Sequence, residues 1–182
     1  MHKLIFFALL STTLLANCQD DAKSPTCVDG IQNQNETGVD CGGPCVACFE
    51  GVHGQWKSAP VAPILTTSAD SILAEFKQDG NYELSYWKSG FPSKFTGTFV
   101  QVFSGVNPIY ALTLNQKTPS VSTFRGIVQL SNADSIMVYE TVQTTPAIGA
   151  TPPLATEGFG SSKFNGVALG NNNIQSYSRK KR

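Results

Sequence analysis

The chain has 182 residues, with 13 Lys and Arg against 13 Asp and Glu, so its formal net charge is +0. That balance excludes the whole-chain basic footprint of a nucleic-acid binder, and no nucleic-acid partner is expected. Charged residues make up only 14%, below the roughly 25% of an average soluble domain, and all five cysteines fall before residue 50, so two different compositions stand in series.

The first composition begins with an address. Met1, His2 and Lys3 form a short cationic start. Leu4 to Ala16 is apolar apart from Ser11, Thr12 and Thr13. That run has the length of a signal-peptide core, whereas a spanning helix needs about 20 apolar residues. It ends in Leu15-Ala16-Asn17-Cys18, with Asn17 where Gly, Ala or Ser is commoner. The segment resembles the lipobox of bacterial lipoproteins, in which the cysteine becomes the new N-terminus and carries acyl chains such as palmitate. The resemblance implies a signal peptide over 1–17 and lipid attachment at Cys18, hence a membrane anchor. Several acyl chains hold a protein on a bilayer where one alone is marginal. Lipidation also accounts for an odd cysteine count, leaving four. Gln19-Asp20-Asp21 follows at once and resembles the acidic tag that sends some Gram-negative lipoproteins to the outer face of the outer membrane. The expected location is therefore the cell surface, with residues 18–26 as a lipidated tether.

Residues 27–50 hold Cys27, Cys41, Cys45 and Cys48. About twenty residues cannot bury a core and need staples. Two disulfides or one four-thiolate zinc site both fit four cysteines. Outside the cytoplasm disulfides form and persist, so a disulfide module is expected and no metal, with the pairing open. Asp29, Asn33, Asn35, Glu36 and Asp40 gather oxygen atoms that suit calcium. The same residue types serve Asx turns and caps, and an EF-hand is ruled out because Ile31 and Gln34 occupy its ligand and glycine positions. Cys27, Asp29, Gly30, Asn33, Glu36, Asp40, Cys41, Gly42, Gly43, Cys45 and Cys48 together resemble a recurrent module of bacterial surface proteins, used as a stalk between anchor and head.

Residues 51–182 read as β. Apolar residues recur with period 2 between turn residues, and no sustained helical period occurs. Gly54-Gln55-Trp56-Lys57 opens the domain. Ile72, Ala74 and Phe76 alternate with Glu75 and Lys77. Asp79-Gly80 is a hairpin signal of type I′, which needs positive φ at both central positions. Tyr82, Leu84 and Tyr86 continue beyond it. Phe95, Gly97, Phe99 and Phe103 follow, then Tyr110, Leu112 and Leu114, then Phe124, Gly126, Val128 and Leu130. After a turn at Asn132-Ala133-Asp134, Ile136, Val138 and Val142 alternate with Met137 and Tyr139. Thr144 to Thr156 carries three prolines and predicts a long loop, a feature usually functional or disordered. Phe159 to Phe164 and Ile174 to Arg179 are the last predicted strands. Roughly eight short strands at this spacing make a sandwich or barrel. Gly97 and Gly126 suit barrel corners or close backbone approach.

Gly54-x-Trp56, Phe76-Lys77-x-Asp79-Gly80-x-Tyr82, the meander and Tyr177-x-Arg179 together resemble the lipocalin-like lipoproteins of bacteria. The resemblance implies an all-β, up-and-down barrel of about eight strands. It also implies that Trp56 closes the bottom of the barrel against Arg179.

No cysteine nucleophile, Gly-rich phosphate loop, HExxH or GxSxG motif is present in the head. His53 stands at the domain junction, and Glu75, Glu83, Glu140 and Glu157 are scattered. The domain is expected to bind rather than catalyse, with no cofactor; an enzyme would need a polar cluster at the barrel mouth. Phe95, Phe99, Phe103 and Phe124 lie on alternating strand positions and are the candidate lining of a cavity for a small apolar or amphiphilic ligand. The alternative is a filled barrel whose loops bind a partner protein or glycan, since eight strands can be packed solid. Arg179 to Arg182 form a basic end, either a solvated strand terminus or a contact to lipid head groups or anionic glycan.

Overall fold

Residues 31–36, 43–45, 51–58, 60–131 and 134–180 are described in the computed structural model of the chain. The chain divides into two units, Met1–Cys48 and Phe49–Arg182. Cys18, Cys27, Cys41 and Cys48, like Asp29 and Asp40, lie outside the described residues. In the first unit Asn33 and Glu36 close a turn. The Glu36 N–H donates to Asn33 O at 2.9 Å, and the Asn33 N–H donates to Glu36 Oε2 at 3.2 Å. Among the described calcium candidates, then, the Glu36 carboxylate serves its own turn, as short polar side chains do. No group of three or more metal-binding side chains occurs among the described residues.

The second unit is all-β. Eight strands close into an antiparallel barrel in the order β1-β11-β7-β6-β5-β4-β3-β2. They are β1 (Gly54–Ser58), β2 (Ser71–Phe76), β3 (Asn81–Lys88), β4 (Phe91–Val106), β5 (Ile109–Thr118), β6 (Ser122–Ser131), β7 (Ile136–Thr145) and β11 (Gln175–Arg179). Sequential strands pair throughout, apart from one excursion between β7 and β11. That excursion carries a small sheet of β8 (Ala150–Thr151), β9 (Lys163–Phe164) and β10 (Val167–Ala168). The predicted up-and-down barrel is therefore the fold, and closure removes the sheet edges that an open meander would expose.

Alternation selects the inner face. On β2, Ile72, Ala74 and Phe76 are buried while Ser71, Leu73 and Glu75 are half-buried. Tyr82 and Leu84 on β3, Leu112 and Leu114 on β5, Met137 and Tyr139 on β7 and Tyr177 on β11 complete the interior. The outer wall carries Lys57, Lys94, Lys117 and Arg125, all exposed, the reverse of the apolar outer band of a membrane-spanning barrel. Period alone does not decide the face of β7, because its outer face is covered too. Glu140 points outward yet is 0% exposed. Its carboxylate accepts the N–H of Gly160 at 2.6 Å and of Ser162 at 3.0 Å, so part of the excursion straps across the wall.

Two glycines let strands cross tightly. A Cβ on Gly126 would stand 1.8 Å from Glu140 O, and one on Gly97 2.0 Å from Asn115 O. Both distances are far inside van der Waals contact, which is the close approach the sequence suggests at these positions.

The structure corrects three local expectations. At Asp79-Gly80 only Gly80 has positive φ, 79°. The Gly80 N–H donates to Lys77 O at 3.1 Å and the Lys77 N–H to Asn81 O at 2.8 Å, so the loop is longer than the two-residue type I′ turn. That turn lies instead at Ser89-Gly90, with φ of 50° and 86°, joining Lys88 and Phe91 directly. The long loop expected over Thr144 to Thr156 is interrupted, since Thr144 and Thr145 end β7 and Ala150–Thr151 form β8. Only Lys163 and Phe164 of the strand expected over Phe159 to Phe164 are extended and paired, and they pair outside the barrel.

Candidate ligand cavity

The barrel has one sealed end and one open end. At the sealed end, residues 51–53 tuck under the strands. Val52 and Trp56 are both 0% exposed. Trp56 Nε1–H donates to Val52 O at 2.7 Å, which satisfies the one polar atom of a buried indole. Arg179 lies across the Trp56 ring, its guanidinium carbon 4.1 Å from the ring centroid. Its Nε–H donates to Asp134 O at 2.6 Å and its Nη1–H to His53 O at 2.5 Å. A planar fork that stacks and donates in several directions is what arginine offers and lysine does not. The strand register brings the two residues together, since Trp56 and Arg179 are Cα partners between β1 and β11. Arg179 is therefore spent on closure rather than on a basic tail; Lys181 and Arg182 lie outside the described residues. His53 Nδ1 sits 3.1 Å from Lys77 O and the ring packs edge-on against Phe99.

At the other end a cavity of about 480 Å³ opens between the loops, within the roughly 300–1,000 Å³ of small-molecule sites. Its walls are Leu84, Leu114, Tyr82, Tyr86, Tyr139, Phe95 and Phe124, and its rim includes Ile64, Leu65, Ile148, Phe164 and Leu169. Loops between β1 and β2 and between β7 and β11 build that rim. Gln175 ties the first of them down: its Oε1 accepts the Ala62 N–H at 2.7 Å, and its Nε2 donates to Pro60 O at 2.7 Å.

Of the four phenylalanines expected to line a cavity, Phe95 and Phe124 do. Phe99 instead packs at the sealed end, 5.0 Å from the Phe76 ring. Phe103 is 59% exposed, because β4 and β5 run past the bottom of the barrel, where its ring meets Tyr110 at 5.8 Å. Counting alternate positions along β4 places both inward, but the barrel ends before the strand does.

The tyrosines are the larger omission of the sequence reading. Tyr139 and Tyr177 stack at 5.4 Å with their planes 7° apart, and Tyr177 Oη donates to Tyr139 Oη at 3.4 Å. Tyr86 packs on Phe95 at 4.9 Å. Burial pushes the Tyr82 phenol up to about 12. Burial, reinforced by the neighbouring Tyr139, holds Tyr86 and Tyr177 well above the ordinary tyrosine range, and burial raises Tyr139 as well. The interior is thus a neutral surface of hydroxyls on aromatic walls. Among the described residues no Asp, Glu, Lys, Arg or His lines the cavity. No described helix is long and apolar enough to cross a membrane. No family model, curated protein or solved structure matches the chain.

Proposed function

We propose that the chain is a lipid-anchored surface protein of a Gram-negative bacterium whose barrel holds a small apolar or amphiphilic ligand. The cavity of about 480 Å³ inside a closed barrel carries this reading. Its walls are apolar and aromatic with a few polar groups, the composition of small-molecule sites. The rim agrees, for Ile64, Ile148 and Phe164 line it and are each about half exposed, offering an apolar path inward. A filled barrel acting only through its loops fits this interior less well. The anchor rests on Leu15-Ala16-Asn17-Cys18, the surface address on Gln19-Asp20-Asp21, and the disulfide stalk on Cys27, Cys41, Cys45 and Cys48.

Mass spectrometry of the chain purified gently from its own host tests both halves. The denatured chain should begin at Cys18 and carry acyl mass on it. The native chain should carry an additional mass that organic solvent strips away. A bare native mass, with no uptake of fatty alcohols or fatty acids offered in excess, would remove the ligand-carrier reading. An N-terminus at any other residue would remove the anchor.

A further inference from the structure

Most polar groups around the cavity already have partners. Gln175 is tied to the first loop as described. Gln116 Nε2 donates to Ser120 O at 2.9 Å, Gln143 Nε2 to Pro146 O at 2.9 Å, and Asn173 Nδ2 to Thr141 O at 3.1 Å. Tyr139 and Tyr177 bond each other. Tyr82 makes no such bond. Its side chain is 2% exposed and lines the cavity, yet its hydroxyl has no hydrogen-bond partner among the described residues. That hydroxyl is not a sealed, unsatisfied atom but is reached from the cavity, so a donor in a mostly apolar chamber is left open to whatever enters, and few polar groups set the orientation of a ligand in such a site. The charge inventory adds a second constraint. An ionised carboxylate or ammonium brought inside would meet no counter-ion, and an unpaired buried charge is far more costly than a neutral polar atom.

From these two observations we infer that the cavity takes an uncharged, largely apolar molecule bearing a hydrogen-bond acceptor, such as a ketone, quinone or ester oxygen, bound with that oxygen inward on Tyr82 Oη. The inference rests on the ligand-carrier reading and specifies its ligand class. Tyr82 donates its hydroxyl proton to the acceptor, the apolar body fills the space between Leu84, Leu114, Phe95 and Phe124, and nothing is transferred covalently. A fatty acid would have to keep its carboxylate at the mouth or enter protonated.

The test uses the full mature chain, stripped of co-purifying molecules and loaded with the neutral dye Nile red. Displacement is measured with 2-tetradecanone, tetradecane and tetradecanoic acid at about pH 8, where the acid is ionised. The ketone should displace the dye roughly tenfold better than the alkane or the acid, a difference of about 1.4 kcal/mol. In Tyr82→Phe the ketone should lose roughly that tenfold advantage, while the alkane stays within about twofold. An acid that binds as well as the ketone in the wild-type chain would overturn the inference, and that comparison stands even where the variant does not fold. A folded Tyr82→Phe chain that keeps the ketone's advantage would overturn it as well. Failure of Nile red and all three probes to bind would bring down the ligand-carrier reading itself. Binding of the dye and the alkane with no gain for the ketone would leave that reading in place and remove only the acceptor-bearing class.

Discussion

At the scale of single residues, the sealed end depends on one cation. Arg179 covers the face of a fully buried indole and donates to the carbonyls of Asp134 and His53, which come from two separate loops. Arg179→Lys keeps the charge but removes the planar fork, so these carbonyls lose their donors and the indole its cover. The expected cost is about 1–3 kcal/mol. In a chain of this size that lowers the melting temperature by roughly 3–10 °C, readable in a thermal melt followed by circular dichroism. A melt within a degree of the parent would mean that the stack is incidental to closure. The pairing was legible only through the resemblance that Gly54-x-Trp56 and Tyr177-x-Arg179 carry, and β1 and β11, which bear the two residues, are neighbours in the closed barrel. Tyr82 was not legible as a site. A tyrosine at an inward strand position fits a filled core and a cavity wall equally well, and only the count of hydrogen-bond partners separates them.

At the scale of elements, the strands were legible where one face is wet. The alternation along β2 gives its inner face directly, because Glu75 must stay near water while Ile72, Ala74 and Phe76 need not. β7 resisted the same reading, since Val138 and Glu140 on one side and Met137 and Tyr139 on the other are all at least half-buried. The cause is tertiary: the segment around Gly160 and Ser162 lies against the outer wall, held by a carboxylate with no solvent exposure. That segment reads as a strand over Phe159 to Phe164 in sequence, yet only Lys163 and Phe164 are paired, outside the barrel. Its attachment is testable through Glu140→Ala. Removing the carboxylate strips the acceptor from the Gly160 and Ser162 amides, and charge-assisted bonds of this kind carry about 1.5–3 kcal/mol each. Amide hydrogen exchange at Gly160 and Ser162 should therefore speed up by roughly tenfold or more, with a smaller change at Leu112 or Val128 in the barrel core. Unaltered exchange at both amides would show that other contacts hold the strap.

At the scale of the whole molecule, the phenols that line the cavity, with Tyr177 stacked behind Tyr139, also set the alkaline limit of the fold. Tyr82, Tyr86, Tyr139 and Tyr177 all have raised pKa values, and for each the first cause is burial. A folded-state pKa above the unfolded value means that the unfolded chain releases its protons first as pH rises. The stability these groups confer is thus complete below about pH 10, the ordinary tyrosine value, and drains away above it. For Tyr82 the loss runs up to its folded value of about 12. Four such groups in one interior act together, because ionising any of them in place would bury an uncompensated charge beside its neighbours. The barrel should therefore open cooperatively above about pH 10. Phenolate absorbance of the interior tyrosines should rise in step with the loss of the β-sheet circular dichroism signal. A neutral ligand seated in the cavity binds the folded state alone, so it should move this transition to higher pH by mass action. Phenolate appearing from all the tyrosines near pH 10 while the β signal persists would mean that water and hydroxide reach the interior freely, and the picture of a dry, neutral cavity would fail.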